Sequence, residues 1–135
     1  MTTGNPGMID HMGLAVTDLA RSKAFYARAL APLSITLLVE VTAAQTGDRS
    51  HAGFGAKGRP FFWLGDGDTQ AGSLHVAFTA GSRAEVDAFH RAALGAGGRD
   101  NGAPGLRPHY HATYYGGFVL DPDGNNVEAV CHRPE

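Results

Sequence analysis

The stretch Gly117-Phe118-Val119-Leu120-Asp121-Pro122-Asp123-Gly124-Asn125-Asn126-Val127-Glu128-Ala129-Val130-Cys131 decides how the chain is read. Asp-Pro-Asp-Gly stands between two apolar runs and is a turn signal, because Pro fixes φ and Gly supplies φ > 0. The run after the turn reads as a strand with a carboxylate, Glu128, in its middle. Side chains on a strand alternate, so Val127, Ala129 and Cys131 face one way and Asn126, Glu128 and Val130 the other. A carboxylate on a buried strand has to be paired, metal-bound or protonated, since an isolated buried charge is very costly. The partners of Glu128 are therefore the central question.

Working outward, the rest of the chain bounds the answer. Its 135 residues suffice for one domain with a real core. Hydrophobic residues make up 43% and charged residues 18%, a globular rather than disordered balance. Net charge is -2 and Lys and Arg do not cluster, which argues against nucleic acid as a partner. The apolar segment Ile35 to Val39 is far too short to span a membrane, so no membrane partner is expected. Met1 to Gly7 is polar, with no basic-then-apolar leader, and the single cysteine, Cys131, fits a reducing compartment. A cytoplasmic location is the expectation. The 19 glycines cluster at 47–58, 65–72, 95–105 and 116–124, mostly where short strands would turn.

Met8 to Val16 alternates, with Met12, Leu14 and Val16 on one face and His11, Gly13 and Ala15 on the other. Thr17 is a plausible N-cap for a helix to about Leu30, stopped by Pro32. Ile35 to Thr42 reads as a strand, Ala43 to Ser50 as a polar loop, and His51 to Gly55 with Arg59 to Leu64 as a hairpin. Leu74 to Thr79 is a strand with His75, Ala77 and Thr79 on one face. Ser82-Arg83-Ala84-Glu85 is a capping box opening a helix to about Leu94, which glycines 95, 97 and 98 end. A Gly/Pro-rich loop, the Tyr-rich strand Thr113 to Leu120 and the closing strand follow.

The two halves match when slid by 64 positions: His11 on His75, Ala20 on Ala84, Ala24 on Ala88, Phe25 on Phe89, Ala29 on Ala93 and Leu30 on Leu94. Gly53-Phe54 falls on Gly117-Phe118. The chain is thus an α+β fold of two βαβββ modules, about 8–68 and 72–132, within one domain spanning 1–135. Each helix needs an apolar sheet face, and the opposite faces are left to curve around a shared space. Parity points His11, His75 and Glu128 into that space. A lone strand His is usually a satisfied core or surface residue. A repeat-related pair joined by a buried carboxylate instead suits one divalent transition metal with open positions for water or substrate.

Ile9-Asp10-His11-Met12-Gly13-Leu14, Asp18 with Ala24-Phe25-Tyr26, Leu74-His75-Val76-Ala77-Phe78 and Asp121-Pro122-Asp123-Gly124-Asn125 leading to Glu128 resemble the vicinal oxygen chelate superfamily. That group includes glyoxalase I, fosfomycin-resistance thiol transferases, bleomycin-binding proteins and extradiol dioxygenases, and the likeness runs from about residue 8 to 132. The resemblance implies a curved mixed sheet with a helix on each module. It also implies metal ligands from the first strand of each half and from the fourth strands, positions that match His11, His75 and Glu128 here. Where glyoxalase-like members carry a further carboxylate, on the first half's fourth strand, this chain has Trp63, or Leu64 if the gap is set differently. The His, His, Glu set looks more like the dioxygenases or the fosfomycin-resistance enzymes. A homodimer is implied by the resemblance alone.

Phe61 and Trp63 share the face assigned to the cavity, as an aromatic wall for substrate or as packing. Arg107-Pro108-His109-Tyr110-His111-Ala112-Thr113-Tyr114-Tyr115 is the second dense stretch. It reads either as a solvated loop or as a source of catalytic and binding groups. In the second reading, His109 or His111 is an acid/base or extra ligand, Tyr114 or Tyr115 orients substrate, and Arg107 binds it; spacing does not choose between members of each pair. His51, His90 and His132 are assigned to surface or packing roles, and Cys131 to an inert buried thiol. The expected activity is that of a metal-dependent lyase or dioxygenase acting on a small substrate with vicinal oxygens. Glu128, His109, His111 and Tyr115 are its candidate catalytic groups, and one Zn, Fe, Mn, Ni or Co ion is its Lewis acid. The alternatives are a metal-free protein that sequesters an aromatic compound and a degenerate relative with a structural role.

Overall fold

A computed structural model describes residues 8–47, 49–67 and 74–135. The first module runs β1 (Met12–Val16), α1 (Leu19–Leu30), β2 (Thr36–Val41), the one-turn α2 (Ala43–Thr46), β3 (His51–Ala56) and β4 (Arg59–Asp66). The second runs β5 (His75–Thr79), α3 (Arg83–Gly95), β6 (Arg99–Leu106), β7 (Tyr115–Leu120) and β8 (Asn126–Cys131). Each module forms a four-stranded mixed sheet, ordered β1-β4-β3-β2 and β5-β8-β7-β6. In both, the first strand lies parallel beside the last, and the others pair antiparallel. The βαβββ repeat expected from the sequence is present in both halves. Among the described residues no helix is long and apolar enough to cross a membrane.

The helices bury the same repeat positions. α1 buries Ser22, Phe25, Tyr26, Ala29 and Leu30, and α3 buries Val86, Phe89, His90 and Ala93. That i, i+3, i+4, i+7 spacing gives one apolar stripe per helix. Asp18, not Thr17, caps α1 by accepting from the Arg21 amide at 3.1 Å. Thr17 instead donates its hydroxyl to Asp123 of the other module. Ser82 caps α3 as expected, but the Glu85 carboxylate reaches past it to the Gly81 amide.

The modules meet through their helix-bearing sides. Phe62 of β4 stacks edge-on against Phe78 of β5 at 5.1 Å, and Tyr26 against Phe62 at 5.0 Å. The Tyr26 hydroxyl donates to buried Asp121 at 2.6 Å, and Arg28 reaches the carbonyl of Gly95 at 2.9 Å. Burial of Phe25, Tyr26, Phe54, Phe62 and Phe89 at 1% exposure or less makes this the main store of apolar stabilisation. Each ring contributes roughly 2–3 kcal/mol against exposure. The Asp-Pro-Asp-Gly turn is locked from within: Asp121 accepts from the amides of Asp123 and Asn125, both at 2.9 Å, and Gly124 sits at φ 84°.

Three local expectations change. β1 starts at Met12 rather than Met8, and Met8 and Ile9 stand out in solvent. The polar segment after Thr42 folds into α2, held by a capping box in which Thr42 and Gln45 satisfy each other's amides. The Gly/Pro-rich segment before residue 107 is not a loop but the edge strand β6, paired to β7 with two register shifts. Gly and Pro are tolerated there because an edge strand with bulges can do without some ladder bonds.

Candidate functional site

On the helix-free face of the second sheet, Glu128 lies at 1% exposure in mid-β8. Register sets its surroundings: Phe118 of β7 stands directly opposite it, Ala77 of β5 beside it, and His75 beside Asn126. Oε1 of Glu128 faces Nε2 of His75 at 3.0 Å, and Oε2 accepts the Tyr114 hydroxyl. Behind the imidazole, the amide nitrogen of Asn126 meets Nδ1 of His75 at 2.6 Å, and Asn101 donates to the Asn126 carbonyl at 3.2 Å. With the amide donating, His75 carries its proton on Nε2, directed at the carboxylate. The buried charge thus has two donors. Burial, followed by the bond to Glu128, pushes the Tyr114 phenol well above its ordinary range, so it stays a donor at neutral pH.

The pair also suits a cation. An imidazole nitrogen and a carboxylate oxygen 3.0 Å apart are donors of the kind a divalent transition metal takes, and His75 and Glu128 would be the residues that hold it. An imidazole bound through Nε2 carries its proton on Nδ1, so Asn126 would then turn its carbonyl oxygen to that N–H, the usual support of a metal-bound ring.

His11 stands elsewhere, just before β1. Its Nδ1 meets the Asp10 carboxylate at 2.8 Å, and Arg59 meets the other Asp10 oxygen at 2.5 Å. The bond to His11 first, and Arg59 second, lower the Asp10 pKa. Nδ1 so engaged leaves Nε2 of His11 free to bind a ligand. His11 opens onto a cleft of about 460 Å³ between β1 and β5, walled by Met12, Phe61, Phe62, Val76 and Phe78. Among the described residues no three His, Cys, Asp or Glu groups converge on one point. The structure brings His75 and Glu128 together and leaves His11 on the other module.

The remaining expected residues divide between the faces. The Tyr115 hydroxyl donates to Asp87 of α3 at 2.7 Å beneath the Arg83 guanidinium, on the helix side, while its neighbour Tyr114 reaches Glu128. The Asp87 bond first, then burial, raise the Tyr115 pKa. His109 and His111 are exposed: His109 stacks on Tyr110 at 4.2 Å and His111 accepts from the Thr113 amide at 3.3 Å. Phe61 lines the cleft, whereas Trp63 lies half-buried against Gly53 on the first sheet. Arg107 stacks over Phe118 at 5.4 Å. His90 is buried and meets Asp100 at 2.9 Å, a packing role. His132, set aside above, lies edge-on to Tyr114 at 5.2 Å. Asn126, Phe118 and Asp10 carry no assigned role in the sequence reading. Strand parity with Glu128 was enough to find Asn126, while Phe118 needs the β7–β8 register.

A family model described as the Glyoxalase/Bleomycin resistance protein/Dioxygenase superfamily matches residues 8–129. By sequence, no curated protein matches the chain. Among solved structures, a glyoxalase/bleomycin resistance protein from Albidiferax ferrireducens T118 aligns with 28% identity and a TM-score of 0.75, covering 95% of this chain and all of that one. The fosfomycin resistance protein FosX of Listeria monocytogenes aligns with 19% identity and a TM-score of 0.64, over 96% of this chain and 92% of that one. Its structure, of a glutamate-to-glutamine mutant, holds Mn(II) and 1S,2S-dihydroxypropylphosphonic acid. Glyoxalase I from Zea mays aligns with 23% identity and a TM-score of 0.70, covering 97% of this chain and 48% of that one.

Proposed function

The chain belongs to the glyoxalase/bleomycin resistance protein/dioxygenase superfamily, and we propose that within it this protein is a metal-dependent enzyme acting on a small substrate with vicinal oxygens. The observation that carries this reading is the buried Glu128 carboxylate set 3.0 Å from Nε2 of His75 on a solvent-open sheet face. His75 and Glu128 would hold one divalent ion, and His11, whose Nε2 is unengaged, would complete the set from a second copy of the chain. The edge strands β1 and β5, each paired on one side only, favour such a homodimer. When bound, the ion supplies Lewis acidity to neighbouring substrate oxygens. Tyr114, kept protonated at neutral pH, holds the second Glu128 oxygen and offers a proton beside it. Asn126 fixes the His75 ring. The side chains hydrogen-bonded to Glu128 are Tyr114 and His75, while Tyr115 bonds Asp87, so the chemistry is assigned to Tyr114 and Glu128 rather than to Tyr115, His109 or His111.

The test is metal content of untagged protein, native against Glu128→Ala, after reconstitution with Mn, Fe, Co, Ni or Zn. Near-stoichiometric metal that the variant loses is the expected result. Mixing His11→Ala with Glu128→Ala chains should restore about a quarter of the native binding, since about half of the dimers are then mixed and one of the two shared sites in each regains all its ligands. A native protein that stays metal-free would favour the second reading, metal-free sequestration of an apolar compound. The aromatic cleft beside His11 is the observation that supports it.

A further inference from the structure

The guanidinium of Arg107 is built into the same face as Glu128 and has no charged partner there. It folds back along β6, donates from Nη2 to the Ala103 carbonyl at 2.8 Å, and lies over the Phe118 ring. Two glycines make room for it. A Cβ at Gly102 would stand 3.3 Å from Nη2, and one at Gly105 would stand 3.1 Å from Nη1. Phe118, the ring it covers, stands opposite Glu128 and 6.3 Å from the His75 ring. Among the described residues no carboxylate pairs with Arg107.

A half-buried, stacked guanidinium with most of its N–H donors unspent is positioned to receive an oxyanion from outside the chain. Ion pairing within the protein would have been the simpler way to satisfy it. Resting on the site assigned to Glu128 and His75, we infer that the substrate carries an anionic group, a carboxylate or a phosphonate, across the Phe118 ring from its metal-binding oxygens. Arg107 is the residue that selects it. The planar fork of the guanidinium matches either oxyanion, and the aromatic floor favours a flat or apolar spacer between the two ends of the molecule.

Calorimetric titration with three catechols, alike except for a ring carboxylate, phosphonate or uncharged carboxamide, tests this on both chelator-treated and Mn(II)-loaded protein. The native protein should bind one of the two acids about tenfold more tightly than the amide, the gain expected of one charge-assisted pair. Which acid gains identifies the oxyanion. Arg107→Ala should erase the preference while leaving Mn(II) affinity unchanged, and Arg107→Gln, which keeps a stackable donor, serves if the alanine variant does not fold. A preference that persists in chelator-treated protein supports the inference even if no metal binds, so failure of the metal reading is told apart. Equal affinity for acids and amide, no binding of any of the three, or a preference untouched in both variants would overturn it.

Discussion

Tyr114→Phe removes one hydroxyl and leaves the Glu128 carboxylate, at 1% exposure, with His75 as its remaining side-chain donor. A hydrogen bond to a charged group contributes ~1.5–3 kcal/mol, and losing one partner of a buried group costs its desolvation. Tyr114 is itself only half-buried, so water can replace part of the lost bond. We therefore take the lower end, ~1.5 kcal/mol for metal-free protein, or a fall of ~6 °C in Tm for a domain of this size. Urea unfolding in chelator, native against variant, measures it. Glu128→Gln and the double variant complete a cycle whose coupling should reach ~1 kcal/mol or more. The alkaline limb gives a second readout. The folded phenol titrates above its ordinary 10.0, so its contribution is intact below that pH and is lost as pH rises toward the folded value. Native stability should fall above about pH 10 more steeply than that of Tyr114→Phe. A coupling below ~0.3 kcal/mol together with parallel alkaline limbs would refute the Tyr114–Glu128 bond and the exposure argument built on it.

Two further outcomes test the frame that carries the site. Asp121→Ala should cost ~3 kcal/mol or more in urea unfolding, because it strips the buried Tyr26 hydroxyl and two turn amides of their acceptor at once; a loss under ~1 kcal/mol would contradict the turn lock. Gly53→Ala would place a Cβ 2.8 Å from the ring of the only tryptophan, so Trp63 must rotate and its fluorescence emission shift; an unchanged spectrum would show that the ring does not rest on Gly53.

The parts of this protein that were legible in its sequence are those fixed by local chemistry. The repeat showed because both helices bury the same four positions, and a helix stripe is written directly into residue spacing. The turn at Asp121 to Gly124 showed because Pro and Gly have few other uses in that order. Strand parity likewise placed Glu128 opposite Val127 and Ala129, and with it the buried carboxylate. β6 was hidden by Gly102, Pro104 and Gly105, whose intrinsic preferences run against a strand and were overruled by pairing to β7.

What only the tertiary structure decided depends on contacts between distant segments. Tyr114 and Tyr115 are neighbours in sequence, yet one meets Glu128 and the other Asp87. The point where β7 begins sets which ring goes to which face, and a shift of one residue would exchange them. His11 and His75 are equivalent in the repeat, but equivalence in sequence does not bring two sites together. The β5–β8 register within the second module sets His75 on Glu128, while docking of the modules through Phe62, Phe78 and the paired helices leaves His11 on the β1–β5 cleft. Sequence alone determined the modules and the residue types of the site. Strand register and docking, which rest on pairing, shape and burial between segments far apart in the chain, decided which of them meet.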